Sequence, residues 1–191
     1  MTRFTQLLGM LSERLTAGTI DLEAAALAVA EHVADEFACS WASLWILDGD
    51  AEARVMRRLT AYCTATRRRI AAPVVLTGAE FGPYFDAPRR DGCYVCDDVQ
   101  ADPRLQPMLD SHLGPSDIRA SLSAVIGVNA STSGILTCSQ LGRPRRWLPH
   151  EVTLLKRMAN EISIRRARRR AAERQARDLL SAMFDAAPAS R

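Results

Sequence analysis

Cys93-Tyr94-Val95-Cys96 sets two thiols three residues apart, the spacing of a dithiol redox couple or of half a zinc site. On a strand, however, an offset of three turns the two side chains to opposite faces, so one site cannot readily use both. No further ligands stand at matching spacing, and ordinary packing of both thiols is expected. His32, His112 and His150 fall in or beside three separate helical patterns, with no pair four apart to grip a metal. His112 closes one of these patterns and reads as a partly exposed helix-end residue. His150-Glu151 resembles the start of a kinase phosphoacceptor site, but the residues after it do not continue that motif, and a helix start is expected. Asp97, Asp98, Asp102, Arg104 and Arg119 could hold an ionic ligand, since a guanidinium fork matches a carboxylate or phosphate, or could bind one another. No nucleophile with a base, carboxylate dyad or phosphate-binding glycine loop is legible, so catalysis is not expected.

The elements that must position these residues follow from periodicity. Phe4, Leu7, Leu8, Leu11 and Leu15 predict a first helix ended near Gly18, and Asp21 caps a second with the stripe Leu22, Ala25, Val29, Val33 and Phe37. Both alternating faces of Trp41 to Leu47 are mostly apolar, which predicts a central strand. The turn Asp48-Gly49-Asp50 leads into a second strand, Val55 to Cys63, and so into a hairpin. Residues 64–90 give few signals and read as a loop-rich excursion with one short helix around Phe81, Tyr84 and Phe85. A third strand, Cys93 to Val99, precedes a helix opened by Asp102-Pro103, with Leu105, Met108, Leu109 and His112 at helical spacing and Gly114-Pro115 closing it. Two further strands, Ser121 to Val128 and Ile135 to Gln140, flank a polar turn from Asn129 to Gly134, and one long helical pattern runs from Pro149 to Phe184. The order predicts an α+β domain with an antiparallel sheet.

Composition fits a globular chain: 191 residues, 48% hydrophobic and 25% charged. No apolar run approaches the roughly 20 residues of a membrane span, the N-terminus has no uninterrupted apolar core of a secretory signal, and five cysteines suit a reducing compartment, so a cytoplasmic location is expected. The formal charge of +3 hides an asymmetry: 165–178 holds seven arginines against Glu173 and Asp178, a local +5 that leaves −2 elsewhere. These arginines surround the helix and no aromatic is interleaved for base stacking, which favours a solvated connector over a nucleic-acid or acidic-membrane site. Leu155, Met158, Ile162, Ala172, Ala176, Leu179 and Met183 alternate three- and four-residue steps, a coiled-coil seam interrupted by Arg165 and Arg169.

Four segments then stand in order: Ala42-Ser43-Leu44-Trp45-Ile46-Leu47-Asp48, Asp97-Asp98-Val99-Gln100-Ala101-Asp102-Pro103-Arg104, Ile118-Arg119-Ala120-Ser121-Leu122 and Pro144-Arg145-Arg146-Trp147. Together they resemble the GAF domain in the form it takes in bacterial sensor kinases and cyclic-dinucleotide signalling proteins, over about Asp21 to Ile164. Leu148 departs from the pattern, standing where Thr or Ser usually caps the last helix. Asp178 to Pro188 resembles the lead-in helix of a PAS domain.

The resemblance implies a GAF-like, PAS-related central antiparallel β-sheet with N- and C-terminal helices on one face and a ligand-type pocket on the other. It divides the chain into an N-terminal helix (1–20), a GAF domain (21–164) and a C-terminal basic signalling or coiled-coil helix (165–191). Family members bind cyclic nucleotides, haem, bilins, nitrate or other small molecules, and many are dimerising spacers, so no cofactor is named. Candidate ligand-binding residues are Trp45, Tyr84, Phe85, Asp98, Arg119 and Ser121; of the histidines, His112 is best placed for haem or bilin attachment. In this family Asp102 and Arg104 mostly fix the loop and helix. The expected role is a non-catalytic sensory module of a two-component type system, homodimeric through its terminal helices, binding an unidentified small molecule and signalling to an output domain or a partner kinase or cyclase. The alternatives are a ligand-free dimerisation spacer, and an enzyme reducing free methionine sulfoxide with cysteines, whose glycine-rich cysteine motif this chain lacks.

Overall fold

The computed structural model describes residues 2–48, 55–71, 73–128 and 131–185, without the side chains of 128, 131 and 179–185. Helix α1 (Arg3–Thr16) turns its buried Phe4, Leu8 and Leu11 towards α2 (Leu22–Glu36), whose first turn is capped by the Asp21 carboxylate accepting from the Ala24 amide at 2.7 Å. Strands β1 (Trp41–Asp48) and β2 (Val55–Cys63) pair antiparallel. The expected turn residues Gly49 and Asp50 lie outside the described residues.

The stretch read as loop-rich is more ordered than expected. Short strands β3 (Arg68–Arg69) and β4 (Val75–Thr77) line the outer edge of β2, and α3 (Gly78–Asp91) has fourteen residues despite Pro83 and Pro88 inside it. A capping box starts α3: Glu80 Oε2 accepts from the Thr77 amide at 2.8 Å and from its hydroxyl at 2.9 Å. Gly92, at φ 74°, ends it in the left-handed conformation that glycine tolerates best.

Strand β5 (Cys93–Cys96) is shorter than expected. The helix opened by Asp102-Pro103 is a composite: a 3₁₀ turn over Pro103–Leu105, one α turn, α4 (Gln106–Met108), and a π segment over Leu109–Leu113. Strands β6 (Ile118–Val128) and β7 (Ser131–Leu141) extend further into the expected Asn129 to Gly134 turn than the sequence suggests; Asn129 and Ala130 lie outside the described residues. Helix α5 (Pro149–Asp185) closes the chain. Leu148 offers no side-chain cap, but Glu151 Oε2 accepts from the Leu148 amide at 2.8 Å, which recovers half of a capping box.

The strands form one antiparallel sheet in the order β3-β2-β1-β7-β6-β5, with β4 also on β2. One face carries Ala42, Leu44, Ala120, Leu122, Leu136 and Cys138 and packs against α1, α2 and α5. The other carries Trp45, Met56, Tyr94, Ile118 and Ile135 and packs against α3 and the composite segment. Gly134 lies opposite Ile46, where a Cβ would come within 2.4 Å of the Trp45 carbonyl oxygen, so this crossing of β1 and β7 admits only glycine without a backbone shift.

The proposed seam of α5 is partly spent within the chain. Leu155 and Met158 are buried in the helix-side core and Ile162 packs against it, because β6 and α1 already occupy that side of the helix. Ala172 and Ala176 are exposed, while the side chains of Leu179 and Met183 lie outside the described residues. Among the described residues no helix is long and apolar enough to cross a membrane.

Candidate functional site

Period-two alternation on β1, β6 and β7 sends apolar residues to the helices and small hydroxyls to the other face: Ser43, Ser121, Ser123, Thr137 and Ser139. With Trp45, Tyr84, Tyr94 and His112 they line a cavity of about 40 Å³ between the sheet and the α3/composite roof. The floor is partly self-satisfied. Ser43 and Thr137 share a 2.5 Å hydroxyl bond, and Trp45 Nε1 donates to Ser43 Oγ at 2.9 Å. Burial pushes the Tyr84 phenol up to about 12, with Ser123 opposing the shift, so it stays protonated at neutral pH. The hydroxyls of Ser121 and Ser139 and the imidazole of His112 line the cavity with no hydrogen bond among the described residues.

His112 corrects the expectation of a partly exposed residue. It is only 6% exposed, because the π segment carries its ring inward to an edge contact with Trp45, centroids 5.1 Å apart. Burial, aided by the charge of Arg58, drives its pKa down to about 4, so the ring is a neutral donor and acceptor at physiological pH. Arg58 is itself buried, with its guanidinium over the indoles of Trp41 and Trp45 at 5.5 and 6.0 Å.

The predicted residues divide. Trp45, Tyr84 and Ser121 line the cavity. Phe85 is buried on the same side but stacks edge-on with Phe81 at 5.7 Å, a packing role behind the wall. Arg119 sits where the β6 register slips between Ile118 and Ala120; the bulge sends Ile118 to the cavity and leaves Arg119 paired to Asp98 at 3.3 Å, outside the lining. Asp98 also accepts from the Gln100 amide at 3.1 Å. The acidic and basic candidates therefore bind each other.

Asp102 caps the 3₁₀ turn through the Arg104 amide at 3.0 Å, holds the Arg104 guanidinium at 3.0 Å, and accepts from the Tyr94 hydroxyl. Burial works against the Asp102 carboxylate, but the bonds from Arg104 and Tyr94 outweigh it and hold its pKa below the ordinary value. Cys93 pairs with Ala124 and Cys96 with Ser121, on opposite faces of β5 as expected. Burial pushes the Cys96 thiol up to about 11, and none of the five cysteines lines the cavity.

Two clasps join this side of the sheet to α5. Lys156 Nζ donates to the Asp91 carbonyl at the end of α3, 3.1 Å away. At the end of β5, Asp97 Oδ1 accepts from the Trp147 amide at 3.0 Å, the Asp97 carbonyl from the Arg145 amide at 3.0 Å, and the Cys96 carbonyl from Trp147 Nε1 at 3.2 Å. Arg145 lies over the Trp147 ring at 4.4 Å and bonds Glu151 at 2.6 Å, in the first turn of α5.

Of the floor hydroxyls Ser121 was singled out from the sequence, but Ser43, Ser123, Thr137, Ser139 and Tyr94 were not, and the inward turn of His112 was not expected. The signal for the floor was present: Ser121 and Ser123 alternate with Leu122 and Ala124, as Thr137 and Ser139 do with Leu136 and Cys138. Such a pattern reads equally well as a solvent face.

Solved structures of the same fold include the blue-light absorbing form of the GAF domain of PixJ from Thermosynechococcus elongatus, at 18% identity and TM-score 0.70, covering 83% of this chain and 92% of that one. A GAF domain from Synechocystis in its photoproduct state matches at 19% identity and TM-score 0.66, covering 81% and 98%. The phycocyanobilin-bound GAF domain of a cyanobacterial phytochrome matches at 11% identity and TM-score 0.67, covering 88% and 96%. No curated protein matches the chain. The GAF domain model matches residues 21–165, most of the sequence, and the chain belongs to the GAF domain family.

Proposed function

We propose that this chain is a sensory GAF module: a small molecule enters the cavity beneath α3, and its presence is relayed to α5 and on to an output domain or partner kinase or cyclase. The observation that carries the reading is the cavity edged by serine and threonine hydroxyls and His112, whose roof is clasped to α5 through Lys156–Asp91 and whose β5 wall is clasped through Trp147–Asp97 to the segment that leads into α5. A ligand that shifts α3 or Tyr94 on β5 pulls directly on the first turns of that helix. The roof is suited to such movement. Pro83 and Pro88 each remove a helical hydrogen bond from α3, and the π segment departs from regular helix where His112 enters the cavity.

The reading extends to a homodimer through the terminal helices, with 165–191 as the signalling helix. Within one chain α1 and α5 are already joined, Thr5 Oγ1 donating to Glu161 at 2.8 Å and Arg165 to the Thr5 carbonyl at 3.1 Å. Met10 on α1 and Ile164 on α5 are 48% and 42% exposed, apolar surface that a second copy would cover. A non-catalytic role is supported by the cysteines: Cys39 and Cys138 lie in the helix-side core, and a thiol raised as far as that of Cys96 is a poor nucleophile.

The test is a thermal-shift panel of nucleotides, haem, bilins, anions, amino acids and small neutral molecules, run on the chain and on Ser139→Val, which fills the cavity. A stabilising compound whose effect Ser139→Val abolishes supports a receptor. A panel without effect on the unsubstituted chain, together with dimerisation in sedimentation, selects the spacer.

A further inference from the structure

Helix α5 changes character along its length. Up to Ser163 it belongs to the body: Leu155, Met158 and Ala159 are buried in the helix-side core, and Ser163 Oγ accepts from the Gly127 amide at 2.9 Å. From 168 to 178 every residue is exposed, so about three turns of the helix pack on nothing in the chain. Most helical stability in proteins comes from a packed face, which leaves this stretch in want of a partner.

The steps that set Leu155, Met158 and Ile162 against the sheet continue in sequence through Arg165, Arg169, Ala172, Ala176, Leu179 and Met183. In a heptad these are the a and d positions. Both arginines among them have acceptors within the chain: Arg165 donates to the Thr5 carbonyl at 3.1 Å, and Arg169 to Glu173 at 2.8 Å. A single charged a position, here Arg169, fixes register at a cost in stability.

The flanking positions indicate the partner. In a parallel, in-register pair each g residue meets the e residue five places further along the other helix. Glu161 and Arg166 form one such couple and Arg168 and Glu173 the next, with opposite charges in both. The first couple is engaged at home, Glu161 accepting from Thr5 Oγ1 at 2.8 Å and Arg166 donating to the Ser133 carbonyl at 3.4 Å. The second is open: Arg168 makes no ion pair among the described residues, and the Glu173 carboxylate that holds Arg169 through Oε1 has lone pairs to spare. An antiparallel pairing over the same stretch matches g with g and e with e, and gives neither Arg168 nor Glu173 an opposite charge.

We infer that α5 from Arg168 onward is a docking surface for the same stretch of a second copy, parallel and in register, with Arg168 of each helix bonded to Glu173 of the other. The inference rests on the homodimer reading above and assigns its orientation, its register and the two residues that select the partner. Residues 165–178 carry a formal +5 in each copy, so a weak, concentration-dependent dimer is expected.

The test is sedimentation of the full chain at rising protein concentration, unsubstituted and as Arg168→Glu, Glu173→Arg and the double exchange. Each single exchange sets like charges together twice per dimer and should weaken association about tenfold, whereas the double exchange restores opposite charges and should recover most of that loss. Glu173→Arg also removes the Arg169 bond, so the recovery on adding Arg168→Glu is the decisive reading. In the same chain Ala172→Cys, on the seam, should give a disulfide-linked dimer on mild oxidation beyond what the five native cysteines give, and Ala171→Cys, one position outward, should not. A dimer whose double exchange is no tighter than the singles, or in which Ala171→Cys links as readily as Ala172→Cys, overturns the inference and leaves the homodimer to another surface. A chain that stays monomeric at millimolar protein overturns the homodimer reading as well.

Discussion

The two faces of the sheet are built from the same strands and differ in almost every other respect. On the helix side, small and branched apolar residues such as Ala30, Val33, Ala120, Leu122 and Leu155 are fully or almost fully buried, and three regular helices close over them. On the cavity side the floor is hydroxylic, the walls are aromatic, and the roof is a proline-interrupted helix beside a 3₁₀–α–π composite. Dense apolar packing tolerates little change, whereas a face that surrounds a cavity with hydroxyls, a phenol and an imidazole gives up apolar burial. On the proposed reading, stability belongs to the helix face and binding to the cavity face.

Substitutions that act on one face alone test this division. Leu155→Ala, at a fully buried helix-side position, is expected to cost about 4 kcal/mol, against about 0.5 kcal/mol or less for Ser139→Ala on the floor, both read from urea denaturation. Equal costs would erase the distinction. Next in size is the response to acid. His112 stays neutral in the fold down to about pH 4 but protonates near 6.5 when unfolded, so the unfolded state binds more protons in that interval. Stability is then whole above pH 6.5 and falls by on the order of 3 kcal/mol as pH drops towards 4. His112→Gln should flatten that part of the profile; an unchanged profile would place the titrating group elsewhere.

Tyr94→Phe removes the hydroxyl that Asp102 accepts from, a bond to a charged group on the cavity wall, and is expected to cost about 2 kcal/mol in the same denaturation assay. A negligible cost would mean that the composite segment is held by its packing alone. The smallest effect is that of Lys156→Met, below about 0.5 kcal/mol because the contact is exposed. Its signature is local: faster amide exchange near the end of α3, with α2 unchanged.

The same division explains what the sequence made legible. Asp21, the Leu22 to Phe37 stripe and the Trp41 to Leu47 strand are local patterns on the face where periodicity and burial agree, and these elements lie where expected. The cavity side depends on long-range and irregular features. Two prolines masked α3, whose start is instead fixed by the Thr77–Glu80 box. A register slip at Arg119 redirected a strand face, and a π turn carried His112 inward; neither leaves a periodic trace. The heptad steps of Leu155, Met158 and Ile162 were legible, but not whether a partner or the chain's own sheet would cover them.

The central claim is that occupancy of the cavity reaches α5 through the α3 and β5 clasps. Ser139→Val imitates occupancy covalently, and hydrogen–deuterium exchange of this variant against the unsubstituted chain tests that claim most directly. The expected result is altered protection at Cys93–Cys96 and over the first two turns of α5, through Lys156, with α2 unaffected. Changes confined to the residues lining the cavity, with α5 exchanging identically in both proteins, would contradict it.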